Sequence, residues 1–453
     1  MKEVNRANGV AAEAVILVGV ILPDHQSSEP PLSELAGLAE TAGANAVGRI
    51  VQRRDAPDRA TYLGRGKVEE LCQLIATRGA DVIFFDNDLS PAQTRNLEKA
   101  TGVKVLDRTE VILDIFARRA QTHEAHLAVE LAQLEYSLPR LKRMWTHLSR
   151  MKMGVGMRGP GEKQLETDRR LVERRISDLR AQLKAIERRK ERQVESRRDL
   201  MTVSLVGYTN AGKSTLLNKV TGAEVLTADK LFATLDTRTR RWQLPSWGPV
   251  LLSDTVGFIR DLPHQLIASF KATLEETRQA DLLLHIADAS NPAALDQIRS
   301  VYHVLEELGI EEKDTLLVLN KVDRIQESGI VEAIQNRYPH ALTISAHSGE
   351  GLSRLATAVS EALSRHFLDV DIETTVGNGR LLAYLAAKGE ILSRRYHDDR
   401  VIVHCRIPKK YLGRLPGSDA EVSTHVQGGN GRMLEGAGDT HPVDIQSSMD
   451  DVV

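Results

Sequence analysis

Aromatic residues make up only 4% of the 453-residue chain, which excludes a platform of many rings for stacking nucleic-acid bases. There are two cysteines, Cys72 and Cys405, too far apart in the sequence for a CxxC metal site and too few for a disulfide framework. Both read as buried small hydrophobes in a reducing compartment. Long hydrophobic runs are missing as well. The longest, Ala11 to Pro23, contains Glu13 and falls short of the ~20 residues of a membrane span. It has neither the basic lead-in nor the cleavage site of a secretory signal, so a cytoplasmic location is expected and membrane association has no support. No H-E-x-x-H or Cys/His cluster points to zinc, and no Ser or Cys nucleophile is set up for catalysis. Neither charge sign dominates: 60 Lys+Arg face 62 Asp+Glu, so the net charge of -2 gives no global attraction to nucleic acid.

What is present is an ordinary globular composition, 42% hydrophobic and 27% charged, long enough for about three domains at ~150 residues each. Charge is segregated along it. From Arg140 to Arg198 there are 19 Lys and Arg against 8 Asp and Glu, whereas from Pro416 to Val453 Arg432 alone faces seven acidic residues. That last stretch is rich in Gly, Ser and Asp, a composition expected to be disordered. The expected organisation is an N-terminal α/β domain (1–110), a helical hairpin (111–199), a third domain (200–368), a small α+β C-terminal domain (369–415) and an acidic disordered tail (416–453).

In the first domain, Ala14–Leu22, Ala46–Gln52, Asp81–Asp86 and Val103–Leu106 read as buried strands. Glu34–Thr41, Lys67–Arg78 and Pro91–Thr101 read as the helices between them. Then Leu127, Leu131, Leu134, Leu138 and Leu141 repeat at 4-3-4-3 spacing, with Pro139 expected to kink or split the helix. Val172, Ile176, Leu179, Leu183 and Ile186 repeat likewise. Between them, Met153 to Gly161 holds four glycines and a proline and cannot be helical throughout. Two single-seamed helices joined by such a loop predict an antiparallel coiled coil. A solvated outer face explains its mixed charges but not its basic excess, nor a tip carrying Arg150, Lys152, Arg158 and Lys163 against Glu162 alone.

At Leu200 the pattern becomes strand, glycine loop, helix. Gly207-Tyr208-Thr209-Asn210-Ala211-Gly212-Lys213-Ser214 fits G-x-x-x-x-G-K-[ST], after the β-rich run Met201–Val206 and before a helix opening on Ser214 and Thr215. Such a loop turns successive backbone N–H groups onto phosphates at a positive helix end. Lys213 is expected to reach the β/γ-phosphates and Ser214 to ligate Mg²⁺. Three further elements select GTP over ATP. Val250–Asp254 is a strand followed by Thr255-Val256-Gly257; Asp254 can hold Mg²⁺ through water and the Gly257 N–H can approach the γ-phosphate. Asp314–Leu319 is a strand ending in Asn320-Lys321-Val322-Asp323, and Asp323 accepts from guanine donors that adenine lacks. Leu342–Ile344 precedes Ser345-Ala346-His347, whose backbone is expected to meet guanine O6. Each match is weak alone; their order at the C-terminal ends of apolar strands makes the set strong. Leu231-Phe232-Ala233-Thr234-Leu235-Asp236 lies between loop and Asp254, with Thr234 as a second Mg²⁺ hydroxyl on a switch segment. Lys213, Thr234 and Gly257 are the candidate catalytic groups. Phe258 follows Gly257 where many GTPases carry a water-orienting glutamine, so intrinsic hydrolysis is expected to be slow and partner-stimulated.

With G-Y-T-N-A-G-K-S, L-F-A-T-L-D, D-T-V-G-F and N-K-V-D in place, the chain resembles the HflX family of translation-associated GTPases over nearly its whole length. Two segments outside the nucleotide motifs carry the resemblance more specifically: Tyr62-Leu63-Gly64-Arg65-Gly66-Lys67, and Arg158-Gly159-Pro160-Gly161-Glu162-Lys163-Gln164-Leu165-Glu166. Thr237 stands where the family usually has proline after the aspartate. The resemblance implies a Ras-like P-loop GTPase domain, binding to the large ribosomal subunit and its RNA, and splitting or rescue of stalled ribosomes. The residues themselves agree, since a glycine-rich basic tip suits phosphate contacts on folded RNA. Arg65, Lys67, Arg150, Lys152, Arg158 and Lys163 are the RNA-contact candidates, on a monomer with no DNA partner. Two other readings stand beside this one: a regulatory GTPase acting on a protein partner, with the hairpin a spacer, and an RNA remodeller that also uses adenine nucleotides.

Overall fold

The computed structural model describes residues 13–23, 29–144, 160–196, 200–222, 231–232, 234, 237–245, 248–260, 276–310, 313–325, 329–365, 367–412, 415 and 420–425. They form two compact units that divide between Ser364 and Arg365.

The first unit opens with a parallel sheet ordered β2-β1-β3-β4, made of β1 (Ala14–Ile21), β2 (Asn45–Arg53), β3 (Val82–Phe85) and β4 (Lys104–Asp107). The central strand β1 is apolar at nearly every position, as a strand covered on both faces must be. Its residues divide by the two-residue period. Ile16, Val18 and Val20 pack with Leu71, Ile83, Phe85 and Leu97, while Val15 and Leu17 pack with Leu35, Leu38, Ile112 and Phe116. Ile83 and Phe85 belong to β3, and helices α1 (Ser33–Thr41), α2 (Arg65–Arg78), α3 (Pro91–Thr101) and α4 (Arg108–Arg119) supply the other partners. The third starts on a reciprocal cap in which Ser90 Oγ accepts from Gln93 N and Gln93 Oε1 accepts from Ser90 N, with Pro91 first in the helix.

Two long helices follow, α5 (His123–Met144) and α6 (Pro160–Ser196). Leu127, Leu131, Ile176, Leu179 and Leu183 form the buried seam between them, with Leu134, Leu138, Val172 and Ile186 against it. Glu130 pairs with Arg175 at 2.7 Å and Glu135 with Arg180 at 2.7 Å along the flanks. The expected split at Pro139 does not occur, because α5 runs unbroken through it. Packing along the seam outweighs the single backbone hydrogen bond a proline removes. Residues 145–159, with the expected basic tip, lie outside the described residues.

The nucleotide-motif domain is a six-stranded sheet ordered β10-β9-β8-β5-β7-β6. Its strands are β5 (Thr202–Gly207), β6 (Arg238–Leu244), β7 (Gly248–Asp254), β8 (Leu282–Asp288), β9 (Thr315–Asn320) and β10 (Leu342–Thr343). All pairs are parallel except β6 with β7. This is the α/β nucleotide-binding arrangement expected from the motifs. Its last helix ends at Ser364, so the following unit begins inside the expected 200–368 span.

The second unit is an antiparallel sheet ordered β12-β13-β11-β14, of β11 (Phe367–Thr375), β12 (Glu390–His397), β13 (Arg400–Pro408) and β14 (Glu421–Thr424). One face buries Val370, Ile372, Val401, Val403, Cys405 and Ile407 with Leu381 and Leu385 of the helix Gly379–Lys388. The stretch expected to be an acidic disordered tail therefore contributes an edge strand. Its four residues are all exposed, and backbone pairing to β11 needs none of the apolar side chains on which the composition argument turns. Cys405 is buried as expected, but Cys72 is half-exposed on α2.

Candidate nucleotide-binding and switch site

Three chain segments converge at the C-terminal ends of β5 and β7. Ser214 Oγ donates to Asp254 Oδ2 at 2.6 Å and lies 2.7 Å from Thr234 Oγ1, which is 3.1 Å from the same carboxylate oxygen. The sequence separates these residues by up to 40 positions, and the fold brings them together. They form a cluster of hard oxygen donors. Asp254 Oδ1 is buried and, among the described residues, has no hydrogen-bond partner. Such an orphaned carboxylate oxygen in an all-oxygen set fits a small divalent cation of the Mg²⁺ kind. Burial raises the Asp254 pKa, with the Lys213 ammonium opposing.

Lys213 opens the helix Lys213–Thr221 after Gly212, and its buried Nζ donates to the carbonyls of Gly207 (3.0 Å) and Tyr208 (2.8 Å). Burial pulls its pKa down to about 8, against the attraction of Asp254. Gly257 sits against this loop. A Cβ there would stand 2.8 Å from Thr209 Cα and 3.0 Å from Lys213 Nζ, so only glycine fits. The neighbouring backbone closes the contact: Phe258 N donates to Gly207 O and Thr209 N to Phe258 O. Phe258, expected as a gap in the catalytic set, is a core residue at 3% exposure. Its main chain fastens the segment after Asp254 to the glycine loop. Thr255 is buried too, its hydroxyl donating to Leu205 O at 2.6 Å, and Val256 packs into the same core.

On the base side, Asn320 acts as a bolt. Its Nδ2 donates to Ala211 O and its Oδ1 accepts from Ala346 N, both at 2.9 Å. Lys321 takes a left-handed backbone (φ 64) and pairs with Asp288 at 2.7 Å. Asp323 is solvent-exposed and accepts from Ser345 Oγ at 2.5 Å, which holds its carboxyl below the usual range. Val322 donates through its N–H to Ile344 O, and His347 is exposed beside Asp323. Asn210 is exposed in the loop, and Thr215 is half-buried one turn into the helix.

Phe232 is 1% exposed and meets the Phe116 ring edge-on at 4.5 Å, so its side chain serves the core and not a ligand. Ala233, Leu235 and Asp236 lie outside the described residues, as do Arg150, Lys152 and Arg158. Lys163 falls in α6, and its side chain is likewise outside the description. Arg65 opens α2, and Lys67 pairs with Glu70 at 2.7 Å.

The sequence reading missed a buried charged network that roots the site in the N-terminal domain. Tyr208 Oη donates to Glu34 and accepts from Arg260 N at 2.7 Å. Arg108 donates to Glu34 (2.6 Å), to Asp86 (2.9 Å) and to Arg260 O (3.1 Å), and Arg260 Nη2 reaches Asp86 at 3.1 Å. Burial opposes the Arg108 charge, yet Glu34 and Asp86 hold its pKa above the ordinary value. Burial and then Glu34 push the Tyr208 hydroxyl up, which keeps it a donor. Leu231 N also donates to Thr41 Oγ1 at 3.2 Å. These partners come from segments up to 190 positions apart, and only an arginine ahead of the mostly apolar stretch Val111–Phe116 hints at them in the sequence.

A Ras-like sheet with a glycine loop, a Ser/Thr/Asp oxygen cluster and an N-K-x-D segment defines a P-loop GTPase. Residues 29–117 match the family described as GTP-binding GTPase N-terminal, 119–197 the GTP-binding GTPase middle region, and 202–321 the family described as 50S ribosome-binding GTPase. The chain is 46% identical to the GTPase HflX of Escherichia coli (strain K12) over 374 residues, which is 82% of this chain and 88% of the relative. It is 46% identical to that of Magnetococcus marinus over 401 residues, 87% and 92% of the two chains. The chain belongs to the HflX family of GTPases. Among solved structures it is similar to the SsGBP–GDP complex, at 24% identity and a TM-score of 0.45, covering 78% of this chain and 99% of that one.

Proposed function

We propose that this HflX-family GTPase is a Mg²⁺-dependent switch that binds the large ribosomal subunit and splits or rescues stalled ribosomes, with GTP hydrolysis timing its release. The observation that carries the reading is the rooting of the three phosphate-side segments in the N-terminal domain: Tyr208 on Glu34, Phe232 on Phe116, and Arg260 on Asp86 and Arg108. A change at the phosphates then alters contacts made by a second domain, as a switch requires. The description of the family matched by residues 202–321 as 50S ribosome-binding supports the choice of partner.

Ser214, Thr234 and Asp254 would hold Mg²⁺, which when bound neutralises charge on the β- and γ-phosphates. Lys213 leaves its two loop carbonyls for the phosphates, and the Gly257 N–H faces the γ-phosphate. Asp323, fixed by Ser345, accepts from guanine, while Asn320 holds the loop and the base-side strand ends together. The monomer works in the cytoplasm, with Arg65, Lys67 and the hairpin-tip residues Arg150, Lys152, Arg158 and Lys163 meeting ribosomal RNA. No water-orienting amide follows Gly257, so hydrolysis without ribosomes is slow, on the order of 10⁻⁴–10⁻² s⁻¹. Single-turnover hydrolysis with and without large subunits tests this. Stimulation of at least tenfold is expected; a fast basal rate unchanged by subunits would move the protein to a self-sufficient site or a protein partner.

A further inference from the structure

The open face of the C-terminal sheet carries a second cluster that the GTPase reading does not use. β11 places Asp369 and Asp371 on that face, since Val370 and Ile372 point into the core. His404 of β13 stands opposite Asp371, and His425 follows β14 directly, its N–H bonded to Asp369 O. Three adjacent strands thus deliver two imidazoles and two carboxylates to one spot.

One donor atom from each of Asp371, His404 and His425 lies within 4.8 Å of the others. Asp371 Oδ2 is 2.9 Å from His425 Nδ1, near the ~3.3 Å between two ligands of a tetrahedral ion with bonds of about 2.0–2.1 Å. The side chains are partly sheltered, at 18% exposure for His404, 20% for His425 and 28% for Asp371. Asp369 has a different place. Its Oδ1 lies 2.5 Å from His404 Nε2; with the proton on that nitrogen, Nδ1 is the lone pair His404 can offer. A carboxylate on the far nitrogen of a ligating histidine is how metal sites fix a tautomer. The other Asp369 oxygen is 3.7 Å from Arg406, and Arg400 is taken up by Glu373 at 2.8 Å.

We propose that Asp371, His404 and His425 form a binding site for a borderline divalent cation of the Zn²⁺ class, with Asp369 positioning His404. Two imidazoles and one carboxylate suit such an ion better than Mg²⁺, which prefers oxygen throughout. The two rings now stack, with centroids 3.6 Å apart and planes 15° from parallel. A lone pair lies in the plane of its ring, so the rings splay when both ligate. The ion ties the exposed edge strand β14 to β11 and β13, a link that its four-residue backbone pairing leaves thin.

The test uses the full chain with GDP and excess Mg²⁺ filling the nucleotide site, and Zn²⁺ as the probe. Equilibrium dialysis with metal quantitation should give one more tightly bound Zn²⁺ per chain in wild type than in the His404→Ala/His425→Ala variant. In wild type alone, Zn²⁺ should shift the imidazole C–H resonances of both histidines together as the stack opens. The near-isosteric Asp369→Asn, which removes no ligand, should weaken Zn²⁺ binding about 10- to 100-fold. Equal stoichiometry and affinity in wild type and the double variant would overturn the site. Unweakened binding by a folded Asp369→Asn would overturn its positioning role.

Discussion

Replacing Tyr208 with Phe removes one buried oxygen and leaves the ring in place. That oxygen joins three elements: it donates to Glu34 of α1 and accepts from the Arg260 backbone beyond Gly257, while its own residue belongs to the glycine loop. Glu34 retains Arg108 at 2.6 Å, so its charge stays compensated. What is lost is one hydrogen bond to a carboxylate, worth about 1.5–3 kcal/mol, and the partner of the Arg260 N–H, worth about 1 kcal/mol more. The expected destabilisation is therefore ~2.5–4 kcal/mol, read by urea unfolding of the nucleotide-free protein. A double-mutant cycle with Glu34→Gln isolates the link between domains and should show a coupling of about 1–3 kcal/mol. Additivity within about 0.5 kcal/mol would refute the claim that the glycine loop and N-terminal domain are joined through this oxygen.

Gly257→Ala places a methyl group 2.8 Å from Thr209 Cα, so isothermal titration should find GTP bound about 10- to 100-fold more weakly while circular dichroism stays unchanged. Asp323→Asn should cost GTP affinity by about 1.5–3 kcal/mol and favour xanthosine nucleotides, in competition binding against a fluorescent GTP analogue. Burial first, and then Asp107, raise the Glu110 pKa to about 7. The native protein then holds the extra proton between about pH 4.5 and 7, and stability falls as pH rises through that window. Glu110 is 28% exposed and 3.8 Å from Arg140, so Glu110→Gln should recover only about 1–2 kcal/mol at pH 8 and little at pH 5, by urea midpoints at the two pH values.

Most of the fold is legible wherever side-chain pattern alone decides structure. The strands around Ile16, Ile83 and Leu205 are apolar runs that need both faces covered, and the leucine seam from Leu127 to Leu138 repeats at helical spacing. The glycine loop and Asp323 are legible because their chemistry demands particular residues at particular spacings. What escapes depends on distant partners. β14 exists because β11 offers an open edge, a fact absent from the Glu421–Thr424 sequence itself. Phe232 and Phe258 look like members of a ligand site by position, yet a core shared between two domains claims their rings. Arg108 and Glu34 are ordinary charges in the sequence and acquire meaning only when Tyr208 and Arg260 arrive beside them. His404 and His425 share no metal-ligand spacing, and only the three-strand register brings them together.

Pelleting with purified large ribosomal subunits, in the presence of a non-hydrolysable GTP analogue and at several salt concentrations, tests the central claim most directly. Wild type is compared with a variant in which Lys152, Arg158 and Lys163 are replaced by Ala. Wild type should pellet with the subunits in the analogue state and much less with GDP, its affinity falling as salt rises because bound cations displace phosphate counterions. The triple variant should bind more weakly, with a salt dependence shallower by roughly two to three counterions and an unchanged affinity for GTP. Equal pelleting with either nucleotide, or identical affinity and salt slope for the two proteins, would contradict a ribosome-directed switch that touches RNA through this hairpin.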